Sequence, residues 1–323
     1  MTDVEAKKNL VRRFFDEVWT QGKFEFIDET YTSDFRLNAL WQNTSLGGSG
    51  VGEGAETAKK VIGGWRHAMP DMVVTTEDIL CEGDYVVSRH LSTATHRNDF
   101  MGMPATDKFG RMPGIVITRV TDDLKIAEAW TCWDIVSMLT QLGLAPGPEG
   151  SFEEPAYADE PRPFDEEAHR NADPEETKRV VREFYDVLWT KGELDSAGDY
   201  FAPDFVGHAP GNTGAKGPEG VKKLVGEWRE GMPDMEIEIH AQHAEGSKVG
   251  TRFTGRGTHT GAFMGIPPTG KEATLSGIAI TRVVDGKVVS DWGEFDILGM
   301  LQQLGVAKPP GQQEEEAPAQ TGA

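Results

Sequence analysis

Cysteine is scarce in this sequence. It has two in 323 residues, Cys81 and Cys132, so neither a disulfide framework nor a thiolate metal cluster is open to it. Basic residues are also short, 32 against 53 acids, and the resulting net charge of −21 argues against a phosphate backbone or an anionic membrane surface as partner, since both need clustered Lys and Arg. Glycine-rich phosphate loops, a GxSxG nucleophile elbow and a CxxC pair are all missing. His240 and His243 fall on opposite faces of an expected strand and make a poor metal pair. No cofactor and no metal are therefore expected. No apolar run approaches the ~18 residues that a membrane span needs. The chain starts on a capping pattern, Thr2, Asp3 and Glu5, with no leader ahead of it, and a cytoplasmic location is expected.

What the sequence does contain is itself, twice. VRRFFDEVWTQG at Val11–Gly22 returns as VREFYDVLWTKG at Val181–Gly192, and KKVIGGWRHAMPDM at Lys59–Met72 returns as KKLVGEWREGMPDM at Lys222–Met235. WDIVSMLTQLGL at Trp133–Leu144 returns as FDILGMLQQLGV at Phe295–Val306. Each copy has the length of a domain and not of a solenoid repeat. The expected division is copy 1 over 1–145, an acidic linker over 146–173, copy 2 over 174–307 and an unfolded tail over 308–323. From Pro146 to Glu176 there are eleven acids against Arg162 and Arg170, a composition that solvates the chain.

Each copy opens on a helix, with Val11, Phe14, Phe15 and Val18 on one face and Val181, Phe184, Tyr185 and Leu188 repeating them. Asp173-Pro174-Glu175-Glu176 is a helix start, and Gly22 and Gly192 are stops. A short second helix (about 24–31 and 194–201) and a third ending at Trp65-Arg66 and Trp228-Arg229 follow. The period then changes to alternation: in copy 2, strands from Met235, to His259, over Glu272–Val283 and to Asp296, the last two joined by Asp285-Gly286. Three helices, an antiparallel curved sheet and a short final helix make an α+β domain with a cavity between helices and sheet.

These residues resemble the SnoaL-like polyketide cyclases (ester cyclases) of the nuclear-transport-factor-2-like, cone-shaped superfamily. The pieces that carry the resemblance in copy 2 are Asp204-Phe205 with His208, Gly217-Pro218-Glu219-Gly220, Met232-Pro233-Asp234, Thr258-His259 with Phe263–Gly270, and Trp292–Asp296 into Gln303-Leu304-Gly305. The resemblance implies cofactor-free intramolecular aldol chemistry, with an acidic residue near the end of the last strand as acid/base: Asp296 in copy 2, Asp134 in copy 1. The tandem arrangement departs from the single-domain pattern, and the copies are expected to pack as an intrachain pseudo-dimer.

Alternation along the last strand groups Trp292, Glu294 and Asp296, and in copy 1 Trp130, Cys132 and Asp134, on what is expected to be the pocket face. A carboxylate there would be desolvated and its pKa raised, as a base for a carbon acid requires. Asp296 equally fits as the N-cap of the helix that begins at Ile297. His259 and His96 could polarise a carbonyl or anchor a loop. His208 answers to Asn38, which cannot exchange a proton near neutral pH, so copy 2 is the expected active copy. Arg252 and Arg89 fall on the opposite face from these histidines and read as outward salt-bridge formers.

The expected activity is a cyclase or isomerase acting on a small hydrophobic carbonyl compound. Asp296 would take the proton, and His259 with His208 would hold the enolate oxygen. The competing readings are a non-catalytic binder and an epoxide hydrolase in which Asp296 or Glu294 activates water.

Overall fold

The computed structural model describes residues 3–40, 51–100, 102–144, 171–210 and 214–307. The expected linker lies outside the described residues except for 171–173, and the expected tail lies wholly outside them.

Copy 1 runs α1 (Asp3–Arg13), a π-helical turn (Phe14–Thr20), α2 (Glu25–Thr30), β1 (Tyr31–Ala39), β2 (Val51–Glu53), α3 (Gly54–Ala68), β3 (Val73–Glu82), β4 (Tyr85–Thr95), β5 (Phe109–Val120), β6 (Ile126–Trp133) and α4 (Ile135–Leu142). Copy 2 runs α5 (Pro174–Phe184), a π-helical turn (Tyr185–Thr190), a 3₁₀ turn (Leu194–Ser196), α6 (Ala197–Tyr200), β7 (Phe201–His208), α7 (Gly217–Gly231), β8 (Glu236–Glu245), β9 (Lys248–Thr258), β10 (Glu272–Val284), β11 (Lys287–Phe295) and α8 (Ile297–Leu304). The sheets are ordered β2-β1-β6-β5-β4-β3 and β7-β11-β10-β9-β8.

One strand in each copy, and the short β2 of copy 1, depart from the sequence reading. A strand, β1 or β7, intervenes between the second and third helices and pairs parallel to the last strand, so each sheet is mixed. The signal is weak for physical reasons. Pro203 interrupts β7, and the register of both parallel pairs slips, so neither segment alternates cleanly.

The repeated Trp-Arg of the third helix has a structural explanation. Arg229 donates to the carbonyls of Trp189 (2.6 Å) and Thr190 (3.1 Å), and Arg66 does the same for Trp19 and Thr20. These are orphan carbonyls at the end of the first helix, which Gly22 and Gly192 terminate in the left-handed region (φ 75° and 74°). The first helix is thereby tied to the third, and its wide π turn leaves adjacent aromatics, Phe184 and Tyr185, both buried.

The outer sheet faces of the two copies meet. Leu80, Val87, Ile115 and Ile117 of copy 1 form one buried cluster with Ile278, Ile280 and Trp292 of copy 2. The flanking polar contacts are reciprocal. Glu245 accepts from the Cys81 amide (2.8 Å) and pairs with Lys8 (2.5 Å), while Glu82 accepts from the Ala244 amide (2.9 Å) and pairs with Lys178 (2.7 Å). Two contacts break this symmetry: Asp78 binds Lys248 (2.7 Å) and Arg282 (2.9 Å), and Tyr85 stacks on His243 (4.2 Å between centroids). Arg89 and Arg252, read from sequence as outward, face this junction instead of solvent, over Trp292 and Trp130.

Candidate functional site

Between the helices and the sheet of copy 2 lies a cavity of about 620 Å³. Its walls are mainly apolar, with Phe184, Phe201, Phe205, Trp228, Phe253 and Phe263 among them, and Lys216, Lys223, Glu227, Glu230 and Arg256 also border it. Small residues make the room. Gly255 and Gly257 on β9 face the cavity, and a Cβ at Gly257 would sit 2.9 Å from Met232. Residue-free volume of this size holds a compact multi-ring molecule.

One carboxylate, Asp291, reaches this apolar space from the sheet. It sits in the middle of β11, surrounded by protein, and the surface it retains opens into the cavity. Burial pushes its pKa up to about 6, a rise that the Thr281 hydroxyl, donating at 2.5 Å, only partly offsets. Tyr185 lines the same cavity. Burial first, and the charge of Asp291 second, hold its phenol pKa well above the usual value, so it is a neutral donor at any physiological pH. A carboxyl group with a raised pKa beside a neutral phenol can act as a base next to a hydrogen-bond donor.

The sequence reading assigned the wrong phase to the last strand. Alternation is present, but Asp291 and Phe295 line the cavity, while Trp292 lies in the junction between the copies. Glu294 and Asp296 are buried and absent from the cavity wall, close enough to Cys132 for their charges, with that of Asp134, to add to burial in raising its thiol. Asp296 caps α8, accepting from the Gly299 amide at 2.9 Å. Asp134 caps α4 through the Ser137 amide (3.0 Å) and hydroxyl. Trp130 lies 6.3 Å from Tyr85, at the junction. Asp296→Ala is expected to cost about 1 kcal/mol in urea unfolding, and Asp296→Asn, which keeps a capping oxygen, a few tenths at most.

Of the histidines, His208 borders the cavity at the end of β7, but its ring lies against Trp292 (5.2 Å, 7°), its register partner on the junction face of the sheet. His259 is fully buried outside the wall, and its Nδ1 accepts from the Thr269 amide (3.3 Å) and meets the Thr269 hydroxyl (3.1 Å), anchoring the loop before β10. His96 meets Thr106 likewise (3.3 Å), and burial lowers its pKa. Asn38 donates to Glu128 (3.0 Å). His240 meets Thr254 (2.9 Å), pointing away from His243.

Copy 1 is filled where copy 2 is open. Its equivalent cavity holds about 80 Å³. Ala129 stands where copy 2 has Asp291, Phe15 where it has Tyr185, Ser92 for Gly255 and Trp133 for Phe295. His90 replaces Phe253 and stacks on Phe15 at 3.6 Å, bonded to Ser88 (2.8 Å) and Thr76 (3.2 Å). Burial, reinforced by Arg89, lowers it to about 3, so it stays neutral. The sequence did carry a signal for Asp291: it is a carboxylate in mid-strand whose counterpart in the other copy is alanine.

Comparison with known proteins follows the duplication. The SnoaL-like polyketide cyclase family profile matches residues 9–142 and again 179–304. Nogalonic acid methyl ester cyclase of Streptomyces nogalater is 31% identical over 119 residues, which span 35% of this chain and 87% of the relative. Among solved structures, wild-type IdmH from Streptomyces antibioticus is 31% identical (40% of this chain, 99% of that one, TM-score 0.37). AclR from Streptomyces galilaeus is 29% identical (42% and 89%, TM-score 0.38). No helix among the described residues is long and apolar enough to cross a membrane.

Proposed function

The chain belongs to the SnoaL-like polyketide cyclase family, and from that premise we propose that copy 2 catalyses an intramolecular aldol-type cyclisation of a hydrophobic polyketide-like carbonyl compound. The observation that carries this reading is Asp291, a carboxyl with pKa near 6 opening into an apolar cavity beside Tyr185. Asp291 as carboxylate removes a proton α to a carbonyl, and the Tyr185 hydroxyl donates to the oxygen on which the enolate charge develops. The enolate carbon bonds to a second carbonyl carbon, whose oxygen then takes up the proton held by Asp291. Reactant and product are isomers, and the proton count closes without a co-reactant.

Copy 1, with alanine and phenylalanine at the two reacting positions, serves as the partner half of a pseudo-dimer held by the reciprocal Glu82 and Glu245 contacts. Its role is to cover the outer face of the catalytic sheet.

The relative's substrate supplies the probe. Incubation of the full chain with nogalonic acid methyl ester in D₂O is expected to give deuterium at the enolisable carbon and a cyclised isomer. Its rate should rise about tenfold per pH unit below pH ~6 and level off above it, as a base that must ionise requires. Retention of the probe unexchanged at every pH would instead identify a binding protein.

A further inference from the structure

The surroundings of the Asp291 carboxylate are set by its neighbours in the sheet. Asp291 on β11 pairs with Gly207 of β7 and with Thr281 of β10, so these residues form one row across adjacent strands. Paired side chains share a face, and here it is the cavity face, which Gly207, Asp291 and Phe295 all line. The alternate residues Ile278, Ile280 and Trp292 belong to the junction. Gly207 brings no side chain to the row. The Thr281 hydroxyl is therefore the group beside Asp291 in the sheet that can hold it, and it donates to Oδ1 at 2.5 Å. Thr281 is fully buried and does not itself line the cavity.

The two carboxylate oxygens consequently meet different surroundings. Oδ2 takes no hydrogen bond among the described residues and is not sealed in protein, and the space open to it is the cavity. The terminal torsion of an aspartate is broad and roughly two-fold, so an untethered carboxylate interchanges its oxygens. A hydrogen bond to one of them removes that freedom. Copy 1 keeps the threonine without the acid: Thr118 pairs with Ala129, and Leu37 stands in the place of Gly207.

We propose that Thr281 is a positioning residue for the copy 2 site: by binding Oδ1 it turns Oδ2 into the cavity, and Oδ2 is the atom that takes the proton. The role of Oδ2 rests on the cyclase reading, whereas the tether on Oδ1 does not.

The test has one arm that needs no substrate. In full-length chain isotopically labelled at the aspartate carboxyl carbons, the Asp291 signal is assigned by its loss in Asp291→Asn and followed with pH. Wild type should titrate near pH 6. Thr281→Val loses the hydroxyl and keeps the branched shape, and its midpoint should rise by about one pH unit, because a donor that favours the charged form is gone. Thr281→Ser keeps the hydroxyl, loses the methyl group, and should titrate like wild type. Tyr185, the titratable group that lines the cavity with Asp291, stays neutral throughout this range, and the flanking strands present Gly207 and Thr281 to it.

The second arm follows deuterium exchange into nogalonic acid methyl ester. Thr281→Val should move the rise of the pH profile upward by the same amount and lower its plateau about tenfold, within the range that small misplacements produce. Thr281→Ser should restore both. An unmoved Asp291 midpoint in folded Thr281→Val overturns the proposal. Greater damage from Ser than from Val does so too, since packing of the methyl group would then be the contribution of Thr281. A moved midpoint with a plateau equal to that of wild type also overturns it, because Thr281 would tune the acid without aiming it. If Thr281→Val does not fold, Thr281→Ala is read in the same way. If wild type fails to exchange the probe while Asp291 titrates as stated, it is the cyclase reading that falls.

Discussion

Asp291→Asn is expected to abolish turnover, by about 1000-fold or more, and to make the protein more stable at pH 7. The two effects have one origin. A carboxyl near pKa 6 in the folded chain and near 4 in the unfolded chain binds its proton more tightly when folded. Stability is therefore lost as pH rises from about 4 through about 6, and the full penalty, of order 2–3 kcal/mol, is present at neutrality. Asparagine fills the same space, accepts the Thr281 hydroxyl bond and never ionises. Urea unfolding at pH 7 should show the variant ahead of wild type, with the gap closing towards pH 4. Loss of turnover with a stability change of the opposite sign would mean that the carboxylate is a structural partner and not a base.

Removal of Asp78 should have the largest cost in stability. Its burial alone would raise its pKa, but Lys248 first, and then Arg282, outweigh that and hold it below the usual carboxylate range. All three side chains are at least nine-tenths buried at the junction between the copies. Asp78→Ala takes away the carboxylate that two buried cations share, and a loss of about 3–5 kcal/mol is expected in urea unfolding of the full chain. Here the sign with pH is the reverse of that for Asp291. Stability from a depressed carboxyl is present above the unfolded value, near 4, and disappears as pH falls through the folded one. A variant within 1 kcal/mol of wild type at pH 7 would show that water reaches Lys248 and Arg282 when their partner is gone.

The duplication, the helix starts and stops, and the antiparallel strands could be read from the sequence because each rests on local chemistry: Asp173 with Pro174, Gly22 and Gly192 in the left-handed region, Asp285-Gly286 between apolar runs. The family could be read too, from motifs that repeat in both copies. The phase of the last strand could not. Both of its faces are enclosed, one by the cavity and the other by the second copy, so a tryptophan at position 292 suits either side. Period-two reasoning fixes which residues share a face, but an enclosed strand does not announce which face is which. The Asp296 capping role was visible as one of two readings, and only the Gly299 amide decides between geometries. Asp291 was passed over because attention went to what the copies share, whereas the carboxyl that opens into the cavity stands at a position where they differ.

The asymmetric contacts of the junction carry a consequence for the history of this chain. A homodimer of copy 2 would exchange each copy 1 residue for its counterpart. Lys248 would then face Ala241 in place of Asp78, and His243 would meet Lys248 where it now stacks on Tyr85. Copy 2 on its own therefore carries no counterpart of these two contacts. A separated copy 2 would thus have to pair with itself without the Asp78 ion pairs and the Tyr85 stack that the joined chain supplies.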